Sequence, residues 1–369
     1  MSKNREELKF CIALTLVNLI GPASAKNLLS YCGSPEAVFL EKKSRLLKIP
    51  GIGETLANSI LAFNQFDLAE KELEFIEKNK IKSCFYTDKD YPQRLKRQSD
   101  SPMLLYSLGN MSLNTERIIS IVGTRKASEY GKSWTAKFVE DLKAFNVTVV
   151  SGLAYGIDIA AHRACVINDI PTIGVLAHGL DRLYPPGHKT TAKAMLRTGG
   201  LLTEYPSGTN PDRENFPTRN RIVAGLCDAT IIVESALRGG AVITANLAAN
   251  YNRDVFAVPG KTSDPYSTGC HFLIKTNKAA LIESAEDLSY YMGWNRTGNE
   301  ADKSKQQKLA LNLTESEQIL FNLLKDREKW HIDELQAKVD FSSSTLALTL
   351  LELELKGIVK SFPGKQYGV

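Results

Sequence analysis

Six short segments carry glycine, arginine or lysine in a way that suits holding phosphate. They are Gly123-Thr124-Arg125, Ser151-Gly152 running on to Gly156-Ile157-Asp158, Gly179 through Pro185 with Lys189 soon after, Phe216 through Arg221, Arg238-Gly239-Gly240, and Pro259-Gly260-Lys261. Glycine lets an anion approach main-chain amides, and an arginine fork grips its oxygens bidentately. One such loop need only permit a turn; six in series point to a phosphate-rich ligand. Other chemistry is poorly served. Gly131-Lys132-Ser133 looks like the end of a P-loop, yet Lys126 stands where its first glycine belongs. No GxGxxG dinucleotide fingerprint, GxSxG nucleophile elbow or HExxH motif occurs. His162, His178, His188, His271 and His331 lack metal-ligand spacing, so neither a catalytic residue, a metal nor a cofactor is expected.

These loops need a scaffold that gathers them. Apolar, β-branched runs at Ile118–Val122, Val147–Val150, Thr172–Leu176, Leu201–Thr203, Thr230–Val233 and Val255–Val258 alternate with helical stretches at 128–145, 157–168, 189–198, 219–227 and 240–250. Continuous apolar strands suit a parallel sheet covered on both faces, with the helices as crossovers. The spacing therefore predicts an α/β fold with a Rossmann-like, doubly wound, mostly parallel sheet. Each glycine-bearing loop then falls at a strand's carboxyl end, where ligands of such sheets sit.

The flanks differ. Residues 1–80 read as helical, with Leu8, Ile12, Leu16 and Leu19 at helical spacing. Ile49-Pro50-Gly51-Ile52-Gly53 fits the hairpin of a helix-hairpin-helix or SAM-like domain, whose amides can hold a DNA phosphate, and equally a tight interhelix turn. The core domain is expected over 81–294, a polar linker over 295–313 and a winged helix over 314–369, from three short helices and a small hairpin. Its second-motif helix, Ser342 to Leu355, carries Glu352 and Glu354 and no arginine, which suits a protein contact or a vestigial module better than a major-groove reader.

Composition limits the class. The 369 residues carry 46 basic and 41 acidic side chains, a net +5, too mild to coat a polyanion by charge alone. Glu6 and Glu7 stand where a signal peptide needs an apolar core, and no apolar run is long enough to span a membrane. Six scattered cysteines without a CxxC pair suit reduced thiols in a cytoplasm.

The motif series is specific as a whole. Gly123-Thr124-Arg125, Ser151-Gly152-x-Ala154-x-Gly156-Ile157-Asp158, Gly179-Leu180-Asp181 with Tyr184-Pro185, and Glu204-x-Pro206-x-Gly208 occur in that order. Phe216-Pro217-x-Arg219-Asn220-Arg221-Ile222, Gly240 through Ala245, and Val255 through Gly260 follow. The series resembles the DNA-processing protein A (DprA, or Smf) family over roughly residues 85–290. The resemblance implies a non-enzymatic, homodimeric binder of single-stranded DNA, free of sequence preference. Such a protein shields incoming DNA and loads the RecA recombinase during natural transformation. It places the DNA pocket on Gly123, Thr124, Arg125, Lys189, Phe216, Arg219, Asn220 and Arg221, and dimer contacts near His271 and Ile274. Ser151, Gly152, Gly239, Gly240 and Lys261 join the DNA-binding candidates through their loops. Departures from the family pattern are Thr124 for serine, Ala177-His178 for a small pair, Gly239 for serine and His271 for asparagine.

Single strands are held by a basic groove and by aromatic faces on which bases stack, at ~1–3 kcal/mol per base. Arg125, Lys189, Arg219 and Arg221 supply the cations of this reading, and Phe216, Tyr155 or Tyr184 the faces. The rival class is a Rossmann-like phosphoribohydrolase with a PGGxGTxxE signature. Here the stretch after Gly239-Gly240 continues Ala241-Val242-Ile243-Thr244-Ala245, without the glutamate that reaction needs.

Overall fold

The computed structural model describes residues 4–295, 313–327, 329–362 and 365–368, so the expected linker lies almost wholly outside the described residues. The chain divides into two compact units, residues 1–298 and 299–369.

The first unit begins with helices α1 (Arg5–Leu16), α2 (Pro22–Cys32), α3 (Pro35–Leu40), α4 (Lys43–Leu46), α5 (Glu54–Leu61) and α6 (Phe66–Lys78). Ile49–Gly53 forms the hairpin between α4 and α5, closed by Ile52 N donating to Ile49 O at 3.0 Å. Then come β1 (Lys82–Phe85), α7 (Gln93–Lys96) and β2 (Leu104–Gly109). The alternating pattern continues as β3 (Ile118–Val122), α8 (Glu129–Leu142), β4 (Thr148–Ser151), α9 (Ile157–Ile167), β5 (Thr172–Val175), α10 (Lys189–Met195), β6 (Gly200–Thr203) and α11 (Asn215–Gly225). It closes with β7 (Ala229–Ile232), α12 (Gly240–Asn250), β8 (Asp254–Ala257), α13 (Thr268–Lys275), β9 (Ala280–Leu281) and α14 (Ala285–Met292).

Among the described residues of this unit, nine strands form one sheet in the order β1-β2-β6-β5-β4-β3-β7-β8-β9. From β6 to β9 the pairing is parallel; β1 and β2 add an antiparallel edge. Strands β3 to β7 are buried throughout because helices cover both faces. Ile118 and Val122 pack with α11 and α12 on one face; Ile119 and Ile121 pack with α8 and α9 on the other. The edge pair serves two cores: Leu105 joins the main sheet core, whereas Phe85, Leu104 and Tyr106 pack under the N-terminal helices. The reading from sequence did not anticipate this edge.

The order reverses beside β3: the chain runs outward through β4, β5 and β6, then returns to pair β7 on the other side. This is the topological switch where doubly wound sheets open a crevice. Gly156 lets α9 start beside it. Its φ is +80°, and a Cβ there would lie 2.1 Å from Thr124 O. Gly131-Lys132-Ser133 lies inside α8, with Gly131 against the buried Glu234 carboxylate, so it makes no phosphate loop. His162 is a core histidine: its Nδ1 bonds Thr172 Oγ1 at 2.7 Å, and burial pushes its pKa down to about 3. Among the described residues no group of His, Cys, Asp and Glu is arranged to hold a metal, and no helix is long and apolar enough to cross a membrane.

The second unit has its own core, centred on Leu320, Trp330, Leu335, Leu350 and Leu353. It comprises α15 (Glu315–Leu324), β10 (Trp330–His331), α16 (Ile332–Gln336), α17 (Ser343–Leu355), β11 (Lys360–Phe362) and β12 (Gln366–Gly368). This is the expected winged helix, and the outward face of α17 carries Leu348, Leu351 and Leu355. Glu317 ties it together, accepting from Thr314 N at 2.9 Å and from Lys356 Nζ at 2.5 and 2.7 Å.

Two predictions follow the packing. Gly156→Ala meets backbone and a left-handed φ together, and should lower unfolding free energy by about 2–4 kcal/mol in a urea titration. Gly33→Ala is the control: φ is +87° but space is open, so about 1 kcal/mol is expected. In the winged helix, the Lys356 ammonium and the Thr314 amide hold the Glu317 carboxyl below its ordinary value of 4.5. A depressed carboxyl stabilises the fold above its unfolded pKa, and that contribution is lost as pH falls through the folded value. Glu317→Gln should therefore lower the unit's melting temperature by roughly 5 °C at pH 7, with the difference fading as the pH falls below the ordinary carboxylate range.

Candidate functional site

The carboxyl ends of β3, β4, β5 and β7 and the segment entering α11 surround a cleft of about 760 Å³ at the switch point. Glycine shapes its floor. A Cβ on Gly123 would strike the Ile157 side chain at 2.4 Å, so the β3 loop can lie flat on α9. Thr124 N donates to Glu234 O at 2.6 Å, and Thr124 Oγ1 accepts from Lys126 N at 3.2 Å, turning Arg125 and Lys126 outward. Opposite, α12 begins at Gly239-Gly240, so its leading amides, which lack intrahelical partners, edge the cleft.

An aromatic and cationic wall stands over this floor. The Arg125 guanidinium lies 5.2 Å from the centre of the Phe216 ring, and the Tyr184 ring lies 6.0 Å from Phe216. Tyr184 is held by its amide, which donates to His178 Nε2 at 3.2 Å, so His178 sets its position. Arg213 and Lys126 also line the cleft and were not singled out from sequence. Arg125, Lys126 and Arg213 are exposed, and none has an ion-pair partner among the described residues. Free cations edging a cleft with aromatic faces can hold phosphate and stack a base.

Arg219 behaves differently. It is 3% exposed. Its Nη1 donates to Gly152 O at 2.8 Å and to Val175 O, tying the ends of β4 and β5. Burial pulls its pKa down to about 10, against the attraction of Asp158. Asp158 is the acid among the described lining residues; its Oδ2 accepts from Gly152 N at 3.2 Å and Ala154 N at 3.3 Å. Burial raises the Asp158 carboxyl, and Arg219 is the largest influence opposing that rise. The two groups form a buried strut between strand ends.

Of the residues expected at the site, Gly123, Thr124, Arg125, Gly152, Phe216, Arg219, Asn220, Gly239 and Gly240 line the cleft together. Four do not. Ser151 is buried, its hydroxyl spent on Ile121 O at 2.7 Å. Arg221 turns away to the Asp100 carbonyl at 2.6 Å and the Glu204 carboxylate. Lys189 is exposed at the start of α10 and Lys261 in the loop after β8, both outside the lining. His271 Nε2 bonds Gly260 O at 3.0 Å, and Ile274 packs against the main core from a half-buried position.

Comparison with known proteins agrees with this architecture. The family model of DNA recombination-mediator protein A matches residues 82–293. A SAM-like helix-hairpin-helix tandem matches residues 12–63 and the DprA winged helix domain residues 304–365. The chain is similar to protein Smf of Synechocystis, 31% identical over 98% of each chain. It is similar to the solved structure of DNA processing protein A from Streptococcus pneumoniae, with 32% identity, a TM-score of 0.66, and coverage of 79% of this chain and 98% of that one. A structure of DNA processing protein A from Helicobacter pylori, concerned with that protein's single-stranded DNA binding mode, matches at 26% identity and a TM-score of 0.53 over 58% of this chain and 98% of that one. A cleft at the switch point of a nine-stranded sheet, with a helix-hairpin-helix segment before that sheet in the chain and a winged helix after it, accords with the match, and the chain belongs to the DNA recombination-mediator protein A family.

Proposed function

We propose that the protein binds single-stranded DNA in the switch-point cleft without sequence preference and hands it to a RecA-type recombinase during natural transformation, in the cytoplasm and without catalysis. The observation that carries the reading is the Arg125 guanidinium over the Phe216 face beside exposed Tyr184: a phosphate grip and a base platform within one wall. Arg125, Lys126 and Arg213 hold the backbone; Phe216 and Tyr184 receive bases; Gly123, Gly239 and Gly240 permit close approach. Asp158 does not favour a hydrolase, since its carboxylate already accepts two loop amides. The recombinase role rests on the family. Pairing of two copies through the segment around His271 and Ile274 would set two modest pockets on one strand and raise affinity by effective concentration.

Fluorescence anisotropy with labelled oligonucleotides of several sequences tests the site. Arg125→Ala and Arg213→Ala should each weaken binding about tenfold for every sequence. Each should also flatten the log–log salt slope by roughly 0.7. Unchanged slopes would refute the assignment, and free base released from nucleoside monophosphates would favour the phosphoribohydrolase instead. Arg219→Ala should act on the fold: it leaves the Gly152 carbonyl and the buried Val175 carbonyl without their donor and removes the cation that attracts Asp158, so a loss of about 3–5 kcal/mol in unfolding free energy is expected, with little change for Arg125→Ala.

A further inference from the structure

The loop from Pro206 to Glu214, between β6 and α11, ends in the cleft wall but begins under the N-terminal helices. Glu72 reaches it from α6. This glutamate is 5% exposed, and its carboxylate accepts from Ser207 N at 3.1 and 2.9 Å and from Ser207 Oγ. From there the loop is hydrogen-bonded step by step. Gly208 N donates to Asp181 Oδ1 at 2.9 Å, and Gly179 N to Thr209 O at 3.2 Å. Asp212 N then donates to Asn210 O at 2.9 Å, and Asn215 closes the chain onto Asn210 O through Nδ2 at 3.1 Å. Pro211 and Arg213 are the cleft-lining residues of this loop, and Phe216 follows in the first turn of α11.

A second tether runs parallel to the first. Lys26 of α2 donates to Gln98 O at 2.9 Å, Ser99 O at 2.8 Å and Ser101 Oγ at 2.7 Å. The Asp100 carbonyl between them accepts from Arg221 of α11. Helices of the N-terminal segment thus grip both the loop that enters α11 and the Gln98–Ser101 turn to which Arg221 of α11 is bonded.

We propose that Glu72 is a positioning residue for the cleft: through Ser207 it fixes the loop that presents Arg213, so the N-terminal helices set the grip on nucleic acid without touching it. The idea rests on the cleft being the DNA site. A buried carboxylate receiving two donors from one residue is a stiff anchor, and its loss leaves both donors unpaired. Without it the loop's remaining bonds hold its shape but not its placement.

Full-length protein carrying Glu72→Ala, Arg213→Ala, or both should be titrated against a labelled oligothymidylate. Glu72→Ala is expected to weaken binding about fivefold; adding Arg213→Ala to it should cost less than about twofold more, against the roughly tenfold it costs alone. Glu72→Gln, which keeps acceptor oxygen, should recover most of the affinity. Independent, additive losses would overturn the proposal, as would no loss from Glu72→Ala. Hydrogen exchange separates it from the binding assignment: Glu72→Ala should raise exchange from Ser207 through Asn215 whether or not DNA binds. Faster exchange confined to α6 would also overturn it. Should the alanine variant misfold, Ser207→Ala removes one donor and is expected to move the same amides and to lower affinity about twofold; no change in either measurement counts against the proposal.

Discussion

Parallel strands end with backbone carbonyls and amides that must find partners, and at the mouth of this sheet a buried arginine and a buried aspartate supply them. Arg219 takes the carbonyls of Gly152 and Val175, while Asp158 takes the amides of Gly152 and Ala154. Glycine at 152 is needed for this, since a Cβ would sit 2.6 Å from the guanidinium. The loops after β4 and β5 thereby keep their places along the edge of the cleft. Removing either side chain leaves backbone groups without partners, which is why so much of the site depends on two side chains that face inward.

The basic residues of the site divide by what lies within reach. Arg219 and Arg221 find internal acceptors; Arg125, Lys126 and Arg213 find none among the described residues and face solvent. Only the second group keeps its charge available for a mobile polyanion, where release of counterions contributes to affinity. A mild net charge is compatible with a strongly local field on these terms.

Much of the α/β core was legible because fully buried parallel strands appear as unbroken apolar runs: Ile118–Val122 and helix 240–250 lie where the pattern puts them. The edge strands were not. Lys82–Phe85 and Leu104–Gly109 divide their side chains between two cores on opposite faces, so neither period dominates. The site was legible as loops but not as contacts. Arg219 and Arg221 sit two apart in a motif that advertises cations, yet nothing in their spacing reveals the Val175 carbonyl or Glu204 carboxylate waiting for them. Arg213 was overlooked because it stands in a polar stretch between Pro211 and Phe216; the proximity of Phe216 was the available signal.

The antiparallel border formed by β1 and β2 has a bearing on how such a chain could be shortened. Phe85, Leu104 and Tyr106 are greasy on the side that the leading helices roof over. A version trimmed to the sheet alone would bare that ledge together with an unpaired strand rim, an invitation to sticking. Shedding the roof therefore requires repainting the ledge with polar side chains, and the forepart of the molecule is welded to its centre by oil as much as by fold.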